Sequence, residues 1–232
     1  MIEEPPLLTI RRRPSSAATP PHPAFRDAPT GWLVDAMDGR GAMDAAIKPL
    51  APEVTGMRRF VGMALTCWCG PNDNLALMAA VSLAEAGDVI VAASEGFSGA
   101  GMAGDLVAGM ARNRGVAAIV TDGMVRDREG ITAVEMPVFC RGVTPNSCVR
   151  SGPGTVGLPV VVGGLPVASG DLVVGDADGI VVVPQERLDD VGRRLASIAA
   201  AERDAEAAVR AGQMERPEIA ALLASDRVRW IA

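Results

Sequence analysis

Gly104-Asp105-Leu106-Val107, taken with Thr121-Asp122-Gly123-Met124-Val125-Arg126-Asp127, decides how this chain is read. The first piece is a glycine-led helix start. The helix it opens runs from Leu106 to Arg114 and stops at Gly115, and Val116 to Thr121 follows as a short apolar run of buried-strand type. That strand ends in an Asp-Gly turn and an adjacent Arg–Asp pair. Free N–H groups of a helix N-terminus, a guanidinium and two carboxylates then share one end of a sheet, where open α/β folds place ligands. Such a set suits a divalent cation and a small keto-acid.

Working outward, the elements alternate. Thr30 to Met37 predicts a capped helix ending by Gly39, and Phe60 to Trp68 a strand. Asn72-Asp73-Asn74 opens an Ala/Leu-rich helix that closes near Ala86-Gly87. Val89 to Ala93 is a buried strand, leading into a Gly-rich loop over 96–104. Pro137-Val138-Phe139-Cys140 continues the series, followed by a polar loop over 142–157. Leu158–Val162, Leu165–Val167, Leu172–Val174 and Ile180–Val183 are short strands broken by glycine turns, among them Gly163-Gly164. A long Ala/Arg/Glu helix fills 185 to about 212, and a shorter one starts near Pro217. Alternating helices and strands followed by a run of strands predict a layered α/β domain, not a simple Rossmann fold. Residues 1–27, rich in Pro, Arg and Ser, read as a flexible arm; 28–186 as the catalytic domain; 187–232 as a C-terminal helical extension.

Composition narrows the chemistry. Of 22 basic residues only Lys48 is a lysine, His22 is the single histidine, and tyrosine is absent. His22 sits in a Pro-rich stretch and reads as a tail residue, so Ser-His-Asp, Cys-His and His-rich zinc sites are disfavoured. Lys48, just before Pro49, reads as a surface lysine and not a Schiff base. Asp, Glu, Arg and backbone amides remain, and a hard divalent cation such as Mg²⁺ or Mn²⁺ is their natural complement. A formal charge of −6 and an estimated pI near 4.9 argue against nucleic-acid or anionic-membrane partners. Arg11-Arg12-Arg13 reads as a solvated tail. No apolar run is long enough to span a membrane. Cys67, Cys69, Cys140 and Cys148 read as buried free thiols in a reducing cytoplasm. At 49% hydrophobic but only 3% aromatic, the core must be aliphatic.

Each candidate has a plainer reading. Asp105 alone complements a helix dipole; its functional reading comes from the neighbouring N–H groups of Leu106 and Val107 and the glycines Gly96, Gly99, Gly101 and Gly104, which let a ligand approach the backbone. Arg126 and Asp127 alone mark a surface turn; at the carboxyl end of a buried strand Arg126 can fork a carboxylate and Asp127 can ligate a cation. Asp122, Asp176 and Asp178 read as turn residues.

Gly104-Asp105-Leu106, with Asp105 lying 21 positions before Arg126, and Asp122-Gly123-x-x-Arg126-Asp127 together resemble the RraA-like family. Within it they resemble the metal-dependent 4-hydroxy-4-methyl-2-oxoglutarate (HMG/CHA) aldolases. Pro137-Val138-Phe139-x-Arg141-Gly142, Pro159 to Gly164 and Gly170 to Pro184 are similar to further family segments. The resemblance implies a single three-layer β/β/α domain of the swivelling type with C-terminal helices in subunit contacts, forming a homotrimer or homohexamer. It implies a divalent-metal lyase acting on a small 2-keto-acid to release pyruvate, with oxaloacetate decarboxylation as a side activity. It assigns Asp127 to the metal, Asp105 to a metal-coordinated water, and Arg126 with the backbone of Gly104, Asp105, Leu106 and Val107 to the substrate carboxylate. Glu202, from a neighbouring subunit's C-terminal helix, is the implied third acid. Aldolase-branch sequences often carry an acid three places after the Arg-Asp aspartate, where this chain has Gly130. Some relatives look like protein inhibitors of a ribonuclease, so a non-enzymatic regulator is the alternative expectation. A methyltransferase is not expected, because loop 96–104 lacks a nucleotide pattern followed by a ribose-binding acid.

Overall fold

A computed structural model describes residues 4–13 and 23–231 of the chain. Four parallel strands form the centre of the main sheet: Phe60–Trp68, Asp88–Ala93, Ala118–Thr121 and Val138–Cys140, in that order. Antiparallel strands extend it. Lys48–Pro49 adds beyond Val138–Cys140, and Leu172–Gly175 pairs with the first half of Phe60–Trp68 and carries Ile180–Val183 on its other edge.

The period of two in these strands sends alternate side chains into different layers. Ile90, Ala92, Ile119, Val138 and Cys140 face one apolar cluster, which the helices Leu75–Leu83 and Asp105–Asn113 cover through Leu77, Ala80, Val107 and Ala111. Val89, Val91, Ala118, Val120 and Phe139 face the other, roofed by the hairpin Val160–Val162/Leu165–Val167. Phe60 and Phe139 meet edge to face there, ring centroids 4.9 Å apart. A third cluster lies under Thr30–Ala36 and the long helix Leu188–Arg210. The result is the helix/sheet/sheet layering expected from the sequence.

A second, all-parallel sheet positions the site. Three successive central strands are each followed by a short strand: Gly101–Ala103, Met124–Val125 and Gly142–Val143. Each is two or three residues long, too short for any periodicity to show. Because Ala103 pairs with Val125, and Val125 with Val143, the residues that follow each strand emerge side by side.

Several local expectations change. Residues 8–10 and 23–27, read as part of an arm, carry a strand and a helix. Leu8–Ile10 pairs parallel with Gly154–Val156, and Phe25 of Pro23–Asp27 is fully buried. Arg13 is no solvated tail residue: its guanidinium forks Asp88 at 2.9 Å for both bonds, and Asp88 is almost wholly buried. His22 lies outside the described residues. Thr30 is not capped locally. Asp176, 146 residues away, accepts from its N–H and its hydroxyl, both at 2.8 Å. Lys48 is exposed, as expected. No helix among the described residues is long and apolar enough to cross a membrane.

Candidate active site

Gly104 ends the strand Gly101–Ala103 and stands immediately before the helix Asp105–Asn113. Arg126 follows Met124–Val125, and its N–H donates to the carbonyl of Ala103 at 2.9 Å. The small sheet therefore brings Gly104, Asp105, Arg126 and Asp127 together although Arg126 lies 21 positions after Asp105. Gly104, Asp105, Leu106, Val107 and Arg126 border a cavity of about 80 Å³, which Asn74, Ser147, Cys148 and Arg150 also line; Asp127 is not one of its walls but lies against Arg126.

Asp127 has φ +56° and ψ +45°, a left-handed conformation that L-residues other than glycine enter at a cost of about 1–2 kcal/mol. That turn folds its carboxylate back so that Oδ2 lies 3.1 Å from Nε of its own neighbour Arg126. Strain of this kind persists where surrounding structure enforces it, and it clusters at functional sites. Gly104 faces the same carboxylate. A methyl group there would land against Asp127 Oδ2 and 3.2 Å from Arg126 Nε, so its missing side chain is what lets that carboxylate lie so close. Gly130 does the same for Asp105, since a Cβ would come within 2.6 Å of the Asp105 Cβ and 2.8 Å of its Oδ2. Gly130 is thus forced by the position of Asp105, and no side chain fits there unless Asp105 moves.

One expected anion donor is occupied. The N–H of Leu106 is bonded by the Asp105 carboxylate at 2.7 Å, because the acid at the first helical position reaches its own next amide. The first helical bond, Ala108 N–H to the Gly104 carbonyl at 3.0 Å, lies beyond Val107, so the Val107 amide has no helical partner. Leu106 itself is largely exposed on the rim.

Asp122 does more than make a turn. Almost buried, it accepts from the Ser94 N–H (2.7 Å), the Ser94 hydroxyl (3.0 Å) and the Gly96 N–H (3.1 Å), tying the start of the Gly-rich loop to the strand before Arg126. Asp178 remains a turn residue, its N–H on Asp176 Oδ1 at 3.0 Å, whereas Asp176 also ties down Thr30. Glu202 lies on Leu188–Arg210, which packs on Thr30–Ala36, and it does not line this cavity within one chain.

Asn74, Ser147, Cys148 and Arg150 were not foreseen. Ser147 Oγ contacts an Nη atom of Arg126. Cys148 is half-buried, and burial chiefly pushes its thiol above the ordinary range. Cys67, Cys69 and Cys140 are buried free thiols, with Cys140 pushed up to about 11 by burial. The Arg150 segment sits in a loop with no periodicity, and the sequence around Asn74 signals only a helix start. Both reach the site through contacts far apart in sequence.

Among the described residues no three His, Cys, Asp or Glu side chains gather as a closed cation site. Asp127 and Asp105, which Gly104 and Gly130 leave room for, nevertheless offer the one or two carboxylates through which a magnesium-like ion is bound while it keeps several waters.

Comparison with known proteins identifies the family. The RraA-like family model, described as Aldolase/RraA, matches residues 30–182. The chain belongs to the RraA-like family. A Halalkalibacterium halodurans protein provisionally named 4-hydroxy-4-methyl-2-oxoglutarate aldolase is 39% identical over 167 residues, covering 72% of this chain and 78% of that protein. An uncharacterized Pseudomonas syringae protein superposes with a TM-score of 0.72 at 28% identity, covering 82% of this chain and 88% of its own. The Thermus thermophilis RNA-processing inhibitor RraA superposes at 0.62 with 27% identity, covering 68% and 94%. The layered α/β fold is thus that of the RraA-like proteins.

Proposed function

We propose that this RraA-like chain is a divalent-metal-dependent carbon–carbon lyase. It cleaves 4-hydroxy-4-methyl-2-oxoglutarate or a related 2-keto-acid to pyruvate and decarboxylates oxaloacetate as a side activity. The observation that carries the reading is Asp127, strained into a left-handed turn so that its carboxylate sits on Arg126 beside Gly104. The name of the Halalkalibacterium relative supports the same chemistry.

Asp127 would hold Mg²⁺ or Mn²⁺, with Asp105 acting on it through water, and Glu202 from a neighbouring subunit of a homotrimer or homohexamer would complete the acid set. When bound, the cation supplies an electron sink for the charge that develops on the keto oxygen. Arg126 and the Val107 amide hold the substrate carboxylate. Asp105 accepts the proton of the C4 hydroxyl through a water. The O–H pair becomes the new C4 carbonyl, and the C3–C4 pair stays with the departing pyruvate enolate, whose charge Arg126 offsets. Returning the proton to C3 completes pyruvate. Loss of CO₂ from oxaloacetate leaves the same enolate.

Pyruvate release should stop in EDTA and return with Mg²⁺ or Mn²⁺. Arg126→Ala and Asp127→Ala should each lower kcat by about 100-fold or more, the usual cost of losing one preorganised charge-stabilising group. Near wild-type turnover in either variant would overturn the assignment. A regulator of ribonuclease acting by protein binding, the reading that the Thermus relative favours, would need no cation and would keep its effect in EDTA.

A further inference from the structure

The cavity has a second guanidinium that the chemistry above does not use. Arg150 lines the cavity together with Ser147, Cys148, Leu106 and Val107. Although the side chain is exposed, its place is built. The Val149 N–H donates to the Asn72 carbonyl at 2.9 Å and the Asn74 N–H to the Val149 carbonyl at 3.1 Å. Asp73, nearly buried, accepts from the N–H groups of Ser151 (2.6 Å) and Gly152 (2.9 Å). The backbone on both sides of Arg150 is therefore clamped.

The side chain is aimed as well. Asn74 is buried, and its Nδ2 donates to the Met102 carbonyl at 2.8 Å, which leaves Oδ1 to receive Arg150 Nε at 3.2 Å. Met102 belongs to the strand that ends in Gly104, so one buried amide couples Arg150 to the start of the site helix. The Asp73 carboxylate is already engaged by three backbone N–H groups, including Leu75 at 2.7 Å. Arg150 lines the cavity with no carboxylate within ion-pair distance among the described residues. Arg126 differs in lying against Asp127 and Ser147.

We propose that Arg150 binds a second carboxylate on the substrate and makes the site selective for 2-keto diacids over 2-keto monoacids. The inference rests on the lyase reading for the first carboxylate, which it places at Arg126. One guanidinium answers one carboxylate. A second, held in place and unpaired, has a use only when the far end of the ligand is also an anion. Arg suits that end because its planar fork meets a carboxylate with two parallel bonds.

The test is a binding ratio that a purely structural role would not move. In Mg²⁺, calorimetry of 2-oxoglutarate and of 2-oxopentanoate compares ligands of equal carbon count that differ in the distal carboxylate. The wild-type protein should favour the diacid by about 10-fold, the ratio expected for one charge-assisted hydrogen-bonded pair. Arg150→Met should bring the ratio close to one, and Arg150→Lys should leave it in between, since the charge stays while the fork is lost. A wild-type ratio near one, or a ratio unchanged in Arg150→Met, overturns the inference. Exchange of the pyruvate methyl protons in D₂O with Mg²⁺, followed by NMR on the wild type, reports separately on the lyase reading. Exchange without diacid preference sinks only the role of Arg150; preference without exchange sinks the lyase and leaves Arg150 as a diacid-binding group.

Discussion

At the scale of single residues the site depends on what two glycines lack. Gly104 has φ −131°, an ordinary extended conformation, so Gly104→Ala meets no backbone strain. The new methyl would push the end of a mobile carboxylate, not backbone, and stability should change by less than about 1 kcal/mol. Asp127 must nevertheless leave its place beside Arg126. A Gly104→Ala protein that melts like the wild type yet loses most pyruvate release is the expected result; full activity would show that the Asp127 position does not matter. Cys148 gives a second reading of the same cavity. Only the thiolate alkylates, and burial raises the pKa of this thiol, so the neutral form persists above the pH at which a free cysteine ionises. Iodoacetamide should label Cys148 slowly at pH 8 and faster as pH rises past 9, with oxaloacetate plus Mg²⁺ slowing it, as peptide mass spectrometry can follow. Rapid, unprotected labelling at pH 7 would remove Cys148 from the cavity wall. Asp105, Arg126 and Asp127 were legible in the sequence because each sits at a recognisable boundary, a helix start or a strand end. Arg150 and Asn74 were not, because their meaning lies in a hydrogen bond spanning 76 residues.

At the scale of elements, carboxylates act as ties between segments. The period-two strands and the long helices were readable because apolar spacing fixes them. The strands Gly101–Ala103, Met124–Val125 and Gly142–Val143 were not, since their existence depends on pairing with each other. The same limit hid the role of Asp122, whose Asp-Gly context signals a turn while its partners lie near Ser94. Asp122→Ala removes the acceptor for three donors in a place with little water. The unsatisfied groups should cost about 3 kcal/mol, measured by urea denaturation. The Gly-rich loop should also loosen, raising KM for pyruvate-yielding substrates. A loss under about 0.5 kcal/mol would mean that water replaces the carboxylate. Asp122→Asn, which keeps one acceptor oxygen, should fall between the two.

At the scale of the whole molecule, the C-terminal segment is not accounted for by one chain. Helix Pro217–Leu223 is seven residues long and buries none of them, and a helix so short is marginal in water without packing. Val209, Met214, Ile219, Leu223, Trp230 and Ile231 are exposed in the same region. A second copy of the chain is the cover consistent with the proposed trimer or hexamer, and this is also where Glu202 would cross to a neighbour's Asp127. If each site takes Asp127 from one subunit and Glu202 from the next, Asp127→Ala and Glu202→Ala proteins are each inactive for different reasons. Co-expressed at equal levels, they should assemble mixed oligomers in which about a quarter of the sites combine an intact Asp127 with an intact Glu202. Pyruvate release should then recover to that fraction of the wild type, although neither variant alone supports it. Light scattering should give the same trimeric or hexameric mass for the mixture as for the wild type. Mixed oligomers of the right mass with no recovered activity would place both acids in the same subunit's site, or Glu202 in none. Recovery of activity, by contrast, can arise only if the acid pair spans a boundary between chains.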